Sequence, residues 1–173
     1  LTKPFKIEEI SMWRGENLKD KRILLLGEQG IGDSMMFASL IPELQNEGAK
    51  ISFYPGDRLI NIYKRSLSEA NIVTKTDLKD KAITANEFDF QTPIGSICQY
   101  RFQTIENYAP KHPILRANKK QTQELRKKYH DGRPLIGISW QGGGQANRIP
   151  LKSIKLKTLT PILKRTDCKF VSL

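Results

Sequence analysis

Residues that bind metals or form disulfide frameworks are scarce in this sequence. Its 173 residues include two cysteines, Cys98 and Cys168, and two histidines, His112 and His130. Two cysteines so far apart cannot form a disulfide framework or a zinc site, and two histidines cannot supply a histidine-rich metal centre. We therefore expect reduced thiols and no metal site.

Long apolar runs are absent as well. No run approaches the about 20 residues that a membrane-spanning helix needs, and the start of the chain, LTKPFKIEEI, does not have the pattern of a signal peptide. With 38% hydrophobic and 27% charged residues, the composition is that of a globular rather than a disordered protein. Together with the scarcity of cysteine, these features predict a cytoplasmic protein without a membrane span.

Acidic residues are fewer than basic residues. There are 18 Asp and Glu against 29 Lys and Arg, a net charge of +11, and such an excess can favour nucleic acid, anionic lipid or phosphorylated substrates. The basic residues are spread over many segments. The densest clusters, at 119–128 and 152–157, lie on predicted helices or their approaches, where a solvated face is the simplest interpretation. The lack of an arginine-rich arm, of zinc-finger spacing and of an aromatic RNA-binding signature argues against nucleic acid.

Apolar runs of strand length alternate with amphipathic helical patterns along the chain. Residues 23–26 form an unbroken apolar run, which is typical of a parallel strand covered on both faces. The alternation predicts an α/β protein, with a Rossmann-like parallel sheet and helices on both faces. The predicted strands are 21–26, 50–54, 72–73, 88–93, 134–140 and 169–173, and the predicted helices are 33–47, 57–67, 94–100, 119–129 and 156–163.

The helix predicted over 33–47 rests on a clear apolar periodicity. Met36, Leu40 and Leu44 recur at helical spacing, which predicts that they share the inward face. Gly48 follows the last periodic residue and is expected to end the helix.

We predict a complete Rossmann-like domain over 1–132 and the beginning of a second one over 133–173. The second segment repeats the opening pattern of strand, glycine-rich loop, helix and strand, and there the chain stops. A unit of about 40 residues is too small for a free-standing open sheet, because its edges would be uncovered. The sequence therefore suggests a truncated chain, or a homo-oligomer in which a partner supplies the missing strands.

The first glycine loop follows the first predicted strand and reads GEQGIGD over 27–33. A dinucleotide-binding turn requires Gly-x-Gly-x-x-Gly, and the glycines here, Gly27, Gly30 and Gly32, are spaced differently. A P-loop ends in Gly-Lys-Ser/Thr, whereas Gly32 is followed by Asp33, whose negative charge would repel a phosphate. We therefore do not expect this loop to bind NAD or ATP.

Asp33 has two interpretations from the residues alone. It can be the N-cap of the following helix, with its carboxylate bonded to free N–H groups of the first turn. It can also be a general base, because ligands of open α/β sheets bind at the carboxyl ends of strands, where a carboxylate facing a cleft can take a proton from an acceptor hydroxyl. Local sequence does not decide between them.

The motif around this loop extends well beyond it. Residues 12–44 read MWRGENLKDKRILLLGEQGIGDSMMFASLIPEL. Further short motifs are PILRAN at 113–118, GISWQGG at 137–143, RIPL at 148–151 and FVSL at 170–173. Together they resemble the glycosyltransferase-like domain found behind tetratricopeptide repeats in many bacterial proteins. That domain is similar to the heptosyltransferase family and more distantly to the O-linked N-acetylglucosamine transferases.

The resemblance implies the GT-B architecture, in which two Rossmann-like domains face each other across a cleft. The N-terminal domain would hold the acceptor and the C-terminal domain the nucleotide-sugar donor, a co-substrate, with no cofactor. The sequence has no Asp-x-Asp pair to hold a divalent cation, which fits a metal-independent, inverting glycosyltransferase. The implied partners are a nucleotide-sugar donor and a glycan or protein acceptor.

The resemblance also assigns roles to residues of both glycine loops. Asp33 matches the catalytic base, and Arg148, shortly before a proline, matches a basic residue that contacts the donor diphosphate. The glycines of the second loop would let backbone N–H groups approach that diphosphate. The implied acceptor-binding residues are Glu28, Gln29, Gly30 and Gly32, and the implied diphosphate-binding residues are Gly142, Gly143, Gly144 and Arg148.

Two alternatives stay open at this point. Glu28 is equally suited to be a buried hydrogen-bond partner of its own loop rather than an acceptor-positioning group. The chain can also be a non-catalytic module that binds a glycan or protein acceptor and retains only the acceptor-side domain. Activity that appears only after addition of the downstream region would separate the enzyme from the binding module.

Overall fold

The computed structural model describes residues 6–28, 30–79, 84–108, 113–143 and 146–173. The chain divides into two compact units, Leu1–Ala117 and Asn118–Leu173. The first unit contains a four-stranded sheet and the second a two-stranded sheet. This division assigns the helix at Lys119–Tyr129 to the second unit, whereas the boundary expected from sequence falls after it.

The sheet of the first unit is parallel throughout. Its strands are β1 (Arg22–Leu26), β2 (Lys50–Tyr54), β3 (Asn71–Ile72) and β4 (Phe90–Pro93), in the order β3-β2-β1-β4. In the register, Leu24 lies beside Ser52 of β2 and Gln91 of β4. The predicted α/β class with a Rossmann-like parallel sheet is confirmed.

Helices connect these strands and flank the sheet. The α-helices of the first unit are α1 (Ile31–Ala38), α2 (Ile41–Asn46), α3 (Ile60–Ser66), α4 (Lys75–Lys79) and α5 (Ile97–Tyr100). Short 3-10 turns lie at Asp57–Leu59, Ala85–Glu87, Ile94–Ser96 and Ile105–Tyr108.

Both faces of β1 are buried, as its unbroken apolar run predicts. Ile23 and Leu25 belong to one hydrophobic core, and Leu24 and Leu26 belong to another on the opposite face. The first core also contains Ile41, Leu44 and Tyr63, and the second contains Ile10, Val73 and Leu78. Burying each such side chain stabilises the fold by about 1.5–3 kcal/mol, so β1 is the strand on which the first unit is centred.

The single helix predicted over 33–47 is two helices. α1 ends at Ala38 and α2 begins at Ile41, with Pro42 in the first turn of α2. Proline lacks an N–H group and its ring clashes with the carbonyl four residues earlier, so the helix breaks before it. Met36 is exposed rather than in the core. Gly48 ends α2 as expected, with a φ of 90° that suits glycine.

The chain segment before β1 covers the free edge of β4. The Trp13 N–H donates to the Gln91 carbonyl at 2.9 Å, and the Gln91 N–H donates to the Ser11 carbonyl at 2.9 Å. Trp13 is buried, packs edge-on against Tyr100 and lies beneath the Arg101 guanidinium. An edge protected in this way is not open to pairing with another chain.

The second unit is built around two parallel strands, β5 (Leu135–Ile138) and β6 (Lys169–Ser172). It begins with α6 (Lys119–Tyr129), whose N-cap Asn118 accepts a hydrogen bond from the Gln121 N–H. Three 3-10 turns and a short helix α7 connect the strands. They are Ala146–Arg148, Pro150–Lys152, Leu156–Leu159 and α7 at Thr160–Leu163.

The apolar sequence of 134–140 also predicts a buried strand, but β5 is largely exposed. Leu135 and Ile136 of β5 are 39% and 41% exposed. Among the described residues of the second unit, Cys168 is the one buried side chain. Two strands cannot enclose a core, because both of their outer edges and much of their faces stay open.

Candidate functional site

The loops after β1, β2 and β4 leave the parallel sheet at the same edge, where ligands of open α/β sheets bind. β1 lies between the other two strands, so its glycine loop contacts both neighbours. The Gly27 N–H donates to the Tyr54 carbonyl at 2.7 Å, and the Gly95 N–H donates to Glu28 Oε1 at 2.9 Å. We call this cluster of loops the carboxyl edge.

Gly27 is required by packing rather than by ligand access. A Cβ at this position would lie 2.9 Å from both the Tyr54 carbonyl oxygen and the Pro55 carbonyl carbon. These are backbone atoms of the neighbouring strand end, so they cannot move aside at low cost. Gly27 therefore allows the ends of β1 and β2 to approach closely.

Glu28 is a hydrogen-bond partner of the loops, one of the two interpretations left open by the sequence. Its side chain is half-buried, and its Oε1 accepts the Gly95 N–H described above. A Cβ on Gly95 would lie 2.7 Å from that oxygen and 3.1 Å from the Phe37 ring. The contact thus joins the β1 loop to the β4 loop and explains why residue 95 is glycine.

Ser34 is a further residue of the carboxyl edge, and it was not among the site residues expected from the sequence. It is buried in α1, and its Oγ accepts the Glu28 N–H at 2.9 Å and donates to the Glu28 carbonyl at 3.3 Å. The Tyr63 hydroxyl donates to the Ser34 carbonyl, and burial raises the pKa of Tyr63 to about 12. The signal in the sequence that could have identified Ser34 is a small polar residue on the inward face of an apolar helix.

Asp33 lies in the first turn of α1 but is not its N-cap. That position belongs to Gly30, which has extended backbone angles and no side-chain cap. The Asp33 side chain is exposed, and among the described residues no hydrogen bond or ion pair holds its carboxylate. A Cβ on Gly30 would lie 2.5 Å from Asp33 Oδ2, so the carboxylate lies over Gly30. A negative charge there is favoured by the helix dipole.

Gly32 and Gln29 are the other two expected acceptor-binding residues of the first loop. Gly32 is exposed, and a Cβ added to it would meet no atom within 4 Å. Packing therefore does not require glycine at this position, and the space beside it is open. Gln29, an expected acceptor-binding residue, lies outside the described residues.

A small cavity of about 170 Å³ lies between the β1 loop and the segment after β2. It is lined by Glu28, Gly30, Ile31, Ser34, Pro55, Gly56, Asp57, Arg58 and Leu59. The Asp33 carboxylate is not part of its wall, but it overlies Gly30, which is. The volume is below the roughly 300–1,000 Å³ of pockets that enclose a drug-sized ligand, so the cavity suits one small group of a larger ligand.

The segment after β2 adds an acidic and a basic residue to this cavity, which Glu28 also lines. Asp57 accepts a long hydrogen bond of 3.5 Å from the Tyr54 hydroxyl, and Arg58 is exposed at the cavity wall. Burial raises the pKa of Tyr54, and the nearby Asp57 carboxylate raises it further. Asp57 is not among the site residues expected from the sequence. The pairing of β1 with β2 is what brings it beside the first loop.

The second glycine loop, in the second unit, also contains one glycine that packing requires. The Gly142 N–H donates to Ser153 Oγ at 3.0 Å, and a Cβ on Gly142 would lie 2.5 Å from the Lys152 Cβ. Gly143 has open space around it, and Arg148 is exposed at the end of a 3-10 turn. Gly144 lies outside the described residues. The Gly142 N–H is therefore engaged by the protein itself.

The described residues contain no group of three or more His, Cys, Asp or Glu side chains arranged to hold a metal ion. None of their helices has the length and apolar character needed to cross a membrane.

The chain is similar to Protein FlbA of Caulobacter vibrioides. The two are 22% identical over an alignment of 144 residues that covers 75% of this chain and 24% of FlbA. The chain thus spans about a quarter of the length of this relative. No family model matches the sequence, and no solved structure matches it.

Proposed function

We propose that this chain is part of a metal-independent, inverting glycosyltransferase, with a nucleotide sugar as co-substrate, Asp33 as the general base and Arg148 as a contact of the donor diphosphate. The motifs shared with the glycosyltransferase-like domain support the reaction class. The geometry of the carboxyl edge supports the choice of base.

The contrast between the two carboxylates of the first loop is the observation that carries the proposal. Glu28 accepts the Gly95 N–H and joins two loops, so its oxygen is committed to the fold. Asp33, five residues later, is exposed at the edge where ligands bind, and no described residue holds it. A general base needs direct access to the proton that it removes, and Asp33 has that access.

In the proposed reaction, Asp33 takes the proton of an acceptor hydroxyl. The acceptor oxygen forms a bond to the anomeric carbon of the donor sugar while the bond from that carbon to the diphosphate oxygen breaks. The electron pair leaves with the nucleoside diphosphate, whose negative charge Arg148 would stabilise. The cavity beside Gly30 would receive part of the acceptor.

A non-catalytic binding module is the second candidate. It is favoured by the second unit, in which β5 is exposed and the Gly142 N–H is already engaged by Ser153. Such a module would bind a glycan or protein acceptor at the carboxyl edge without transferring a sugar.

Thermal stabilisation by UDP, GDP, ADP and their sugars tests the donor side. A ligand at about a hundred times its dissociation constant should raise the free energy of unfolding by about 2.7 kcal/mol. We expect one nucleotide to stabilise the chain, Arg148→Ala to abolish the effect, and Arg126→Ala on α6, a matched exposed arginine, to retain it. Stabilisation by a glycan but by no nucleotide would favour the binding module.

Sugar transfer by Asp33→Asn tests the base. General-base catalysis contributes about 10²–10⁴-fold, so kcat should fall by that factor while the melting temperature and nucleotide affinity stay unchanged. Asp20→Asn is the matched control, because Asp20 is exposed and its φ of 59° also suits asparagine. Full activity of Asp33→Asn would overturn the assignment.

A further inference from the structure

The net charge of the chain is concentrated in one of its units. The second unit has 13 Lys and Arg against 3 Asp and Glu, a net charge of +10, whereas the first has 16 against 15, a net charge of +1. The net charge of the whole chain does not reveal this asymmetry. In the first unit the basic residues are matched by nearly as many acidic ones. The field of a small unit with this charge attracts polyanions.

Few of these cations have an acidic partner. Among the described residues of the second unit, Arg133 and Lys169 pair with Asp131, and Arg165 pairs with Asp167. The other ten are exposed and form no ion pair with a described residue. They are Lys119, Lys120, Arg126, Lys127, Lys128, Arg148, Lys152, Lys155, Lys157 and Lys164.

One stretch combines these cations with exposed aliphatic side chains. Residues 151–164, which we call the basic segment, contain no acidic residue. Their exposed lysines are Lys152, Lys155, Lys157 and Lys164. Between them, Leu151, Ile154, Leu156 and Ile162 are 84%, 50%, 43% and 53% exposed.

The basic segment also has an inner side that holds it to the unit. Ser153, Leu159 and Leu163 are half-buried. Ser153 Oγ accepts the Gly142 N–H, and the Ile154 N–H donates to the Trp140 carbonyl at 3.0 Å. The segment is therefore attached to the end of β5 through Ser153 and the Ile154 N–H, while its four aliphatic side chains stay exposed.

We propose that the basic segment binds the surface of an anionic membrane. Lipid phosphates attract the lysines, and the boundary between headgroups and acyl chains accepts the aliphatic side chains. Lysine stems can lie along apolar surface while the ammonium group reaches the phosphates. The combination of lysines with exposed leucine and isoleucine residues thus suits both the charged headgroups and their boundary with the acyl chains.

Nucleic acid fits the same charge less well. Single strands are held by aromatic side chains on which bases stack. The aromatic residues of the second unit, Tyr129, Trp140 and Phe170, are half-buried rather than presented on the surface. Four exposed aliphatic residues would gain nothing from a phosphate backbone.

α6 provides an internal comparison, because one exposed aliphatic residue, Leu125, accompanies its five basic residues, whereas four accompany the lysines of the basic segment. Lys119, Arg126 and Lys127 lie at i, i+7 and i+8 and share one helical face. The exposed Leu125 is on the opposite side of the helix. If charge alone attracted the chain to a membrane, α6 and the basic segment would contribute equally.

Vesicle flotation of the full chain tests the proposal. We expect binding to vesicles of phosphatidylglycerol and phosphatidylcholine in equal parts, weakened by salt, and no binding to phosphatidylcholine alone. Lysines near an anionic surface each contribute about fivefold, so the triple variant Lys152→Gln, Lys155→Gln and Lys157→Gln should lower the partition coefficient by roughly 100-fold. Circular dichroism would verify that the variant is folded.

Two matched variants make the result specific. Lys119→Gln with Lys120→Gln and Lys127→Gln removes the same charge from α6 and should reduce binding clearly less. Leu151→Ser with Ile154→Ser keeps every charge and should still weaken binding. Equal losses from the two lysine triples, no effect of the serine variant, or tighter binding to a single-stranded oligonucleotide than to anionic vesicles would overturn the proposal.

Discussion

The two units contain the same kind of parallel strand in opposite surroundings. β1 lies between β2 and β4 and is buried on both faces. Among the described residues β5 pairs with β6 alone, and its Leu135 and Ile136 are exposed. Both strands are short apolar runs followed by glycine-rich loops. An apolar run therefore predicts a strand, but its burial depends on how many neighbours cover it.

The two glycine loops repeat this comparison on a smaller scale. In each, one glycine permits a close contact, Gly27 against the end of β2 and Gly142 against Lys152. Another in each, Gly32 or Gly143, has no atom near its missing side chain. A glycine-rich motif thus combines positions required by packing with positions that leave space for a ligand.

The largest expected difference between the units is in core packing. Leu25→Ala in β1 should lower the free energy of unfolding of the first unit by about 2–5 kcal/mol, because it leaves a cavity in a covered core. Ile136→Ala in β5 should cost less than about 1 kcal/mol, since that side chain is partly exposed. Hydrogen exchange of peptides covering each strand measures both. Similar costs in the two strands would contradict the comparison.

The next effect separates the packing glycine of the first loop from the open one. Gly27→Ala should destabilise the first unit by about 1–3 kcal/mol, because its Cβ would press on backbone atoms. Gly32→Ala should be neutral or stabilise by up to about 1 kcal/mol, since alanine favours helix. Urea unfolding in a Trp140→Phe background, followed by Trp13 fluorescence, measures both. A Gly32→Ala variant that is stable but inactive would place an acceptor beside that glycine.

A third experiment asks whether Glu28 belongs to the fold or to the acceptor site. Glu28→Ala leaves the Gly95 N–H without its acceptor and should cost about 1–3 kcal/mol. Glu28→Gln keeps an oxygen for that N–H and should recover most of the stability. Melting temperatures of the two variants provide the test. Equal destabilisation would mean that the charge of Glu28, rather than its hydrogen bond, matters.

The last effect, which is absent at neutral pH, is a pH dependence of the stability of the first unit. The pKa of Tyr63 is about 12 when folded and about 10 when unfolded, so above pH 10 the unfolded chain releases a proton that the folded chain keeps. Stability should therefore decline as pH rises from 10 to 12, by about 1.4 kcal/mol per pH unit. Tyr63→Phe should make this slope clearly shallower in urea unfolding, leaving the contribution of Tyr54, whose pKa is also raised by burial. An unchanged slope would assign it to other groups.

Local signals in the sequence predicted several elements at their observed bounds. β2 and α6 lie at Lys50–Tyr54 and Lys119–Tyr129, as their patterns predicted. α6 has an N-cap at Asn118 and a turn directly after it, so its ends are determined by adjacent residues. The prediction of one helix over 33–47 was wrong, because it followed the apolar periodicity past Pro42. That proline is a local signal for a helix break.

The candidate site was only partly predictable. Asp33 and its position after a strand could be recognised, because a strand, a glycine loop and a helix are consecutive in sequence. The bond between Glu28 and Gly95 joins residues that are 67 positions apart, and no local pattern relates them. The place of Arg58 beside the first loop likewise depends on the pairing of β1 with β2.

By itself, the sequence determined the α/β alternation, the apolar run of β1 and the surplus of basic residues. It also determined that the first glycine loop matches neither the dinucleotide-binding pattern nor the P-loop pattern. These properties depend on residue type and spacing along the chain. Tertiary structure decided which apolar strand is buried, which glycine allows a close backbone contact and which carboxylate of the first loop is exposed. Those outcomes depend on contacts between residues far apart in sequence, because burial and hydrogen bonding are properties of neighbours in space.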